Sequence, residues 1–249
     1  NFNNAYPYIA IPGHPIAMFY GHIFDGVYQY TDFDKVGESY ILKDGVPNNG
    51  NAREKIQPGD IKFKDINRDG MVNDYDLTII GNPNPKHIGG FGNNFQYKNF
   101  DLNVFFQWSY GGDVLNANRI EFEGGDPNAR TSLNMFASFA NRWTPENQTN
   151  ELYRIGGQGP AVSSRTIEDG SFLRLKTISL GYRLPNAWLK KINIKSLRVY
   201  ASAQNLITWT KYSGPDPEVS TRPTALTPSF DWSPYPRPRT LTLGVDISF

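Results

Sequence analysis

The 249-residue chain has no cysteine, only 3 histidines, and no excess of charge of either sign, with 25 Lys+Arg against 24 Asp+Glu. No apolar run approaches the ~18 residues that a membrane-spanning helix needs. Each shortage excludes something. Without cysteine there are no disulfides, thiolate metal sites or cysteine nucleophiles. A balanced charge argues against electrostatic binding of nucleic acid, which needs a clustered excess of cations. His14, His22 and His87 show no metal-ligand spacing, and no serine elbow or phosphate-binding glycine loop accompanies them. The first residues, Asn1-Phe2-Asn3-Asn4, carry neither a starting Met nor a basic region before an apolar core, so no signal peptide is read.

What is abundant is aromatic and turn-forming: 14 Tyr, 16 Phe and 5 Trp beside 23 Gly and 18 Pro, a composition of short strands and elaborate turns. The pattern is cleanest over Arg239 to Phe249. Leu241, Leu243, Val245, Ile247 and Phe249 alternate with Thr240, Thr242, Gly244, Asp246 and Ser248. Such alternation over about ten residues suits a tilted membrane strand of ~9–11 residues, apolar to lipid and polar to a lumen. Phe100, Leu102, Val104, Phe106, Trp108 and Tyr110 repeat it, alternating with Asp101, Asn103, Gln107 and Ser109, and Phe105 is the apolar exception. Phe91, Phe95 and Tyr97 precede them across a tight Lys98-Asn99 turn. Ser171 to Leu184 reads as a further strand whose phase change near Thr177–Ile178 predicts a bulge. Leu197 to Trp209 follows a connection, Pro185 to Ser196, with room for a short helix. A less regular run, Ile16 to Tyr30, predicts a sixth strand.

The connections at Lys98-Asn99 and Pro185–Ser196 are short. Those at 31–87, 111–170 and 210–238 are long and rich in Gly, Pro, Asn and aromatics. Alternating short and long connections fit an outer-membrane barrel with short periplasmic turns and long extracellular loops. A compact soluble domain rarely carries loops of that length. Trp108, Tyr110, Tyr182 and Trp209 lie near strand ends, as interfacial girdles require. Six strands cannot close a membrane barrel, so more strands are expected N-terminal to Asn1, and 1–249 is read as the C-terminal segment of a barrel domain.

Several blocks resemble one family. Gly59-Asp60-Ile61-Lys62-Phe63-Lys64-Asp65-Ile66-Asn67-Arg68-Asp69-Gly70, continuing to Thr78-Ile79-Ile80-Gly81-Asn82-Pro83-Asn84-Pro85-Lys86, is similar to the SusC/RagA family of TonB-dependent outer-membrane transporters. So are Gly170 to Lys176, Leu180-Gly181-Tyr182, Ala203 to Trp209, and Pro236 to Phe249. These blocks keep the family's order from about residue 59 onward, and residues 1–58 match more loosely through Gly21 to Gln29. The resemblance implies an all-β fold, the last strands of a large antiparallel transmembrane barrel of about 22 strands, in a protein about four times this length. It implies an N-terminal plug and TonB-contacting segment, to which nothing here corresponds. It also implies a SusD-like surface lipoprotein as lid, and import of oligosaccharides or peptides across the outer membrane of a Gram-negative bacterium. Phe249 resembles the family's barrel-assembly signal.

Asp65, Asn67, Asp69, Gly70 and Asp76 have the spacing of a calcium loop at positions 1, 3, 5, 6 and 12, with the Met71 carbonyl at position 7. Asp76 replaces the usual Glu and has a shorter reach. The competing reading is an Asx-turn loop bonded to its own backbone. Trp143, Tyr212, Phe230, Trp232 and Tyr235 in the long connections are candidates for stacking on sugar or contacting a partner, against ordinary packing. A soluble carbohydrate-binding module with a dockerin-like calcium loop is the alternative function. Only one such loop is visible where a dockerin has two. For a glycosidase, Glu121, Glu123 and Asp126, or Glu168 and Asp169, supply carboxylates without a positioned partner, so no catalytic constellation is read.

Overall fold

The computed structural model describes residues 7–124, 133–157, 162–190, 193–222 and 224–249. The chain divides into two compact units. The first comprises Asn1–Asn84, Asp113–Glu168 and Val219–Pro234, and the second Pro85–Gly112, Asp169–Glu218 and Tyr235–Phe249.

The second unit is a five-stranded antiparallel meander. Its strands are β1 (His87–Tyr97), β2 (Phe100–Tyr110), β3 (Phe172–Arg183), β4 (Ser196–Thr210) and β5 (Thr240–Ser248). Each is joined only to its sequence neighbours within the sheet, in the order β5-β4-β3-β2-β1. Lys98, at φ 53°, turns β1 into β2 so that Tyr97 opposes Phe100. The one-turn helix α1 (Asn186–Leu189) occupies the connection between β3 and β4, as its sequence allowed.

The predicted bulge is present, one residue before the expected place. Lys176 is an extra residue of β3 relative to β2, because Leu175 opposes Phe106 while Thr177 opposes Phe105. On β4 the irregularity grows. Leu175 opposes Ile207 and Thr177 opposes Gln204, so Asn205 and Leu206 stand against Lys176 alone, with Asn205 at φ 51°. Adding one residue per strand keeps the two faces in phase across the bulge, since side chains alternate with period two and an uncorrected insertion would exchange the faces.

The first unit corrects two expectations. Ile16 to Tyr30 is not one long strand beside the others. It forms two short strands, Met18–Gly21 and Phe24–Val27, in different small sheets. The run lacks alternation: Ala17, Met18 and Phe19 are all buried in succession, and Gly26 takes φ 96°. Phe24–Val27 pairs with Ile61–Phe63, whereas Met18–Gly21 pairs with Tyr8–Ile9 and Thr78–Gly81. The described parts of the three long connections are likewise folded. They contribute short strands at Phe33–Val36, Ser39–Leu42, Asp113–Asn116, Ile167–Asp169 and Phe230–Asp231 and the helix Ala117–Gly124.

Three buried clusters hold this unit. Val27, Ile61, Phe63, Val72, Trp143, Leu152 and Tyr153 form one. Tyr8, Ala17, Phe19 and Leu115 form another, and Tyr28, Phe33, Leu42 and Ile56 the third. Burying a side chain such as Phe63 is worth about 1.5–3 kcal/mol, enough in aggregate to order segments that local propensity leaves undecided. Among the described residues no helix is long and apolar enough to cross a membrane, which says nothing of strands.

Candidate functional site

Residues directly opposite each other in an antiparallel sheet point to the same side, so the register sorts every side chain of the meander. One row across all five strands reads Phe95, Leu102, Leu180, Ala201, Leu243. The next on that side reads Tyr97, Phe100, Tyr182, Val199, Val245. Towards the other end come Asn93, Val104, Ile178, Ala203, Leu241, then Phe91, Phe106, Leu175, Ile207, and finally Gly89, Trp108, Leu173, Trp209. Asn93 is the one amide on this face. Leu243 is 86 % and Leu241 76 % exposed, so an apolar surface far broader than a soluble monomer tolerates lies open.

The opposite side is polar. Its rows read Asn94, Asn103, Ser179, Ser202, Thr242, then Gln96, Asp101, Gly181, Tyr200, Gly244. Aromatic side chains mark both ends of the apolar face, with Phe100 and Tyr182 in contact at 4.7 Å near the short turns and Trp108, Tyr110 and Trp209 at the far end. The 11 residues of β2 reach about 36 Å along the strand at ~3.3 Å each. Tilted by ~35–45°, they give about 26–30 Å of height, matching the ~25 Å apolar band of outer-membrane barrels and its girdles.

Two charged networks stand on the polar side, and sequence reasoning missed both. Arg198 of β4 reaches across β3 to grip Asp101 with two bonds, at 2.9 and 2.6 Å, and touches Asp246 of β5 at 3.1 Å. Gly181 makes this possible, because a Cβ there would collide with the Arg198 guanidinium. Nearer the long connections, Arg174 is only 2 % exposed. It donates to Thr208 at 3.0 Å, Glu218 at 3.1 Å and Asp216 at 2.5 Å. Arg237 joins the same two acids, at 2.7 Å to Glu218 and 3.2 Å to Asp216. A guanidinium this enclosed persists only when its donors are satisfied by charge. The signal in the sequence was the arginines 174 and 198 in the polar phase of their strands.

The aromatic candidates separate. Trp143 is 5 % exposed in the first unit's core, its indole N–H bonded to Gln29 Oε1 at 3.0 Å. Gly59, at φ 91°, lies so close to its ring that a Cβ would clash. Tyr212 is buried too. Both rings are thus shielded from solvent within this chain. Phe230 and Trp232 stack with centroids 6.3 Å apart, and the Arg222 guanidinium lies 4.0 Å from the Phe230 ring. Tyr235 is 91 % exposed.

In the Asp65–Asp76 segment the oxygens accept from the segment's own backbone. Asp65 takes the Arg68 and Gly70 amides at 2.6 and 2.8 Å, Asn67 that of Asp69 at 3.0 Å, and Asp69 that of Met71 at 2.8 Å. Asp76, fully buried, accepts from Ile66 and Asn67 through one oxygen and Asn73 through the other. Burial acts to raise its pKa, but the amides of Asn73, Ile66 and Asn67 and the neighbouring His22 outweigh it and hold Asp76 below the usual carboxylate range. Among the described residues no three His, Cys, Asp or Glu side chains are grouped to hold a metal.

Glu123, Glu168 and Asp169, weighed above for hydrolysis, are engaged structurally. Glu123 is bonded to Arg165 at 2.7 Å, Arg119 at 3.0 Å and Ser138 at 2.7 Å. Glu168 accepts from Arg119 at 3.3 Å and Asn116 at 3.1 Å, and Asp169 from the Ser171 amide at 2.9 Å. Asp126 lies outside the described residues.

An antiparallel sheet with one continuous apolar face, aromatic borders and a polar reverse has the organisation of a transmembrane β-barrel wall. No protein-family model matches the chain. It is 36 % identical over 242 residues to TonB-dependent receptor P3 of Formosa agariphila, covering 95 % of this chain and 22 % of that protein. It is 34 % identical over 200 residues to TonB-dependent receptor SusC of Bacteroides thetaiotaomicron, covering 79 % and 18 %. The solved structure of the RagAB peptide transporter aligns with a TM-score of 0.69 at 25 % identity, over 98 % of this chain and 24 % of that one. The chain spans about a fifth to a quarter of the length of these relatives. It belongs to the SusC/RagA family of TonB-dependent receptors.

Proposed function

We infer that this chain forms the C-terminal part of the barrel of an outer-membrane nutrient importer in a Gram-negative bacterium. The observation that carries the reading is the two-faced meander. Its apolar side is continuous over all five strands, and among the described residues β1 and β5 each pair on one side only. Unpaired backbone groups at two long edges are untenable in lipid, so further strands must close the sheet. The family supports about 22 strands in total, with a plug and TonB contact supplied by an N-terminal part and a SusD-like lipoprotein as lid. Oligosaccharide or peptide is the cargo class, and the chain's own role is wall and vestibule rather than catalysis. The alternative of a soluble carbohydrate-binding module leaves the apolar face without an occupant.

Removing Thr240–Phe249 from the full-length parent tests the reading. Loss of outer-membrane accumulation is expected, because β4 loses its hydrogen-bonded partner strand. Normal insertion of the truncated protein contradicts it. Calcium at Asp65, Asn67, Asp69, Met71 and Asp76 is a separate proposal, supported by the spacing alone. An ion detected in the wild type and lost in Asp65→Ala with Asp69→Ala supports it, and equal metal content in both refutes it.

A further inference from the structure

The short connection between β3 and β4 reads Pro185-Asn186-Ala187-Trp188-Leu189-Lys190-Lys191-Ile192-Asn193-Ile194-Lys195, with three lysines and no acid. Leu189 is buried and anchors α1, which leaves Trp188 64 % exposed. Asn186, Lys190, Asn193, Ile194 and Lys195 line a cavity of about 410 Å³, within the ~300–1,000 Å³ usual for small-ligand sites. Neither Lys190 nor Lys195 makes an ion pair among the described residues.

The cavity's place in the fold narrows the ligand. The Lys195 amide donates to the Ser248 carbonyl at 2.9 Å, which ties the connection to the end of β5 beside exposed Phe249. The Leu184 amide donates to Leu197 at 2.9 Å and closes the other side. This is the end of the sheet where Tyr97, Phe100 and Tyr182 border the apolar face. Two ammonium groups and two amides therefore sit just beyond the lipid-compatible band, next to an exposed indole of the kind that settles at head-group level. Two cations flanked by amides recognise a phosphate, and their position against the apolar band favours a phosphate that arrives on a lipid.

We propose that Lys190 and Lys195, with Asn186 and Asn193, bind the head-group phosphate of an anionic phospholipid in the leaflet that faces the short turns. Ile194 lies against the lipid's glycerol end, and Trp188 holds the connection at the interface. The proposal rests on the barrel reading above, which places the short turns at the periplasmic leaflet.

The test uses the full-length parent in phosphatidylcholine nanodiscs containing a small fraction of phosphatidylglycerol, with bound lipid counted by native mass spectrometry. Wild type is expected to retain phosphatidylglycerol preferentially. Lys190→Gln with Lys195→Gln should weaken that retention about fivefold per lysine and about thirtyfold together. Lys190→Arg with Lys195→Arg should preserve it. Equal retention in wild type and the Gln variant, both correctly inserted, overturns the lipid site and leaves the barrel reading standing. Failure of the wild type to insert at all overturns the barrel reading instead. Inorganic phosphate that binds wild type and not the Gln variant, with no lipid enrichment in either, assigns the cavity to free phosphate and overturns the lipid source.

Discussion

Placing lysine at successive positions of β5 turns the assignment of faces into a depth series. Leu241 belongs to the row of Val104, near the middle of β2, and Leu243 to the row of Leu102, one step towards the short turns. Ile247 opposes Leu197 at the border, and Thr242 opposes Ser202 on the polar side. A lysine facing hydrocarbon costs about 2–4 kcal/mol at mid-membrane and about 0–1 kcal/mol at the interface. Leu241→Lys is therefore expected to cost about 3 kcal/mol, roughly a 150-fold change in the folded fraction, with Leu243→Lys somewhat less and Ile247→Lys under about 1 kcal/mol. Thr242→Lys should stay within about 0.5 kcal/mol, because its side chain meets water. Folding of the full-length parent into lipid vesicles, titrated with denaturant and read from the heat-modifiable band, gives these free energies. A Thr242→Lys cost equal to that of Leu241→Lys, or a cost independent of depth, refutes the assignment.

Other outcomes follow from the same structure. Asn93 is the lone amide on the apolar face, so Asn93→Leu should stabilise the folded barrel by about 1 kcal/mol or more in the same titration, and a loss would mean that the amide has a partner there. Arg174→Met removes the buried cation shared by Asp216 and Glu218 and leaves Arg237, 41 % exposed, as their one ion-pair partner among the described residues. A loss of about 3–5 kcal/mol is expected, and an unchanged midpoint would contradict the network's weight. Trp143→Ala should cost about 3–5 kcal/mol and expose the first unit to protease, whereas undiminished stability with weakened cargo binding would restore its ligand-facing reading. Asp76 has a folded-state pKa below its unfolded value of about 3.9, so its contribution is present above pH ~4 and lost as pH falls through the folded pKa. Hydrogen exchange at the Ile66, Asn67 and Asn73 amides should be slow near pH 5 and lose its protection only as pH falls through the lowered folded-state pKa of Asp76, corrected for intrinsic rates. Protection unchanged at low pH would refute this.

The sheet was legible because a membrane wall obeys one rule along its whole length. Leu241 to Phe249 and Phe100 to Tyr110 display the two-residue period without reference to any partner, and even the slip at Lys176 announced itself as a phase change. The connection with α1 was legible for a similar local reason, since Pro185 ends the strand and the following residues favour a helical turn. The first unit was not legible, because its order comes from contacts between distant segments. Val27 donates its amide to Asn150 at 2.8 Å, Tyr8 its hydroxyl to the Pro228 carbonyl at 2.7 Å, and Trp143 its indole to Gln29. No period in the sequence reveals such pairings, so connections that read as open loops fold into small sheets with cores of their own. The same gap left ligand contact and packing both open for Trp143 and Tyr212, which this structure buries, since an aromatic in a Gly- and Pro-rich stretch carries no mark of which way it turns. The charged networks of Arg174 and Arg198 needed the register as well, because Asp101, Asp246 and Glu218 become their neighbours only once the strands are aligned.

The sequence has no cysteine, so single cysteines can be placed here without competing labels from this segment. The lipid-facing side of the sheet is identified by attaching a fluorophore at Leu180, Leu241 or Leu243, and separately at Ser179 or Thr242, in the full-length parent within vesicles of bromine-labelled lipid. Strong quenching is expected at the three leucine positions, deepest at Leu241, and little at Ser179 and Thr242. Equal quenching on both faces, or none on either, would contradict a barrel wall that turns Leu180, Leu241 and Leu243 to lipid.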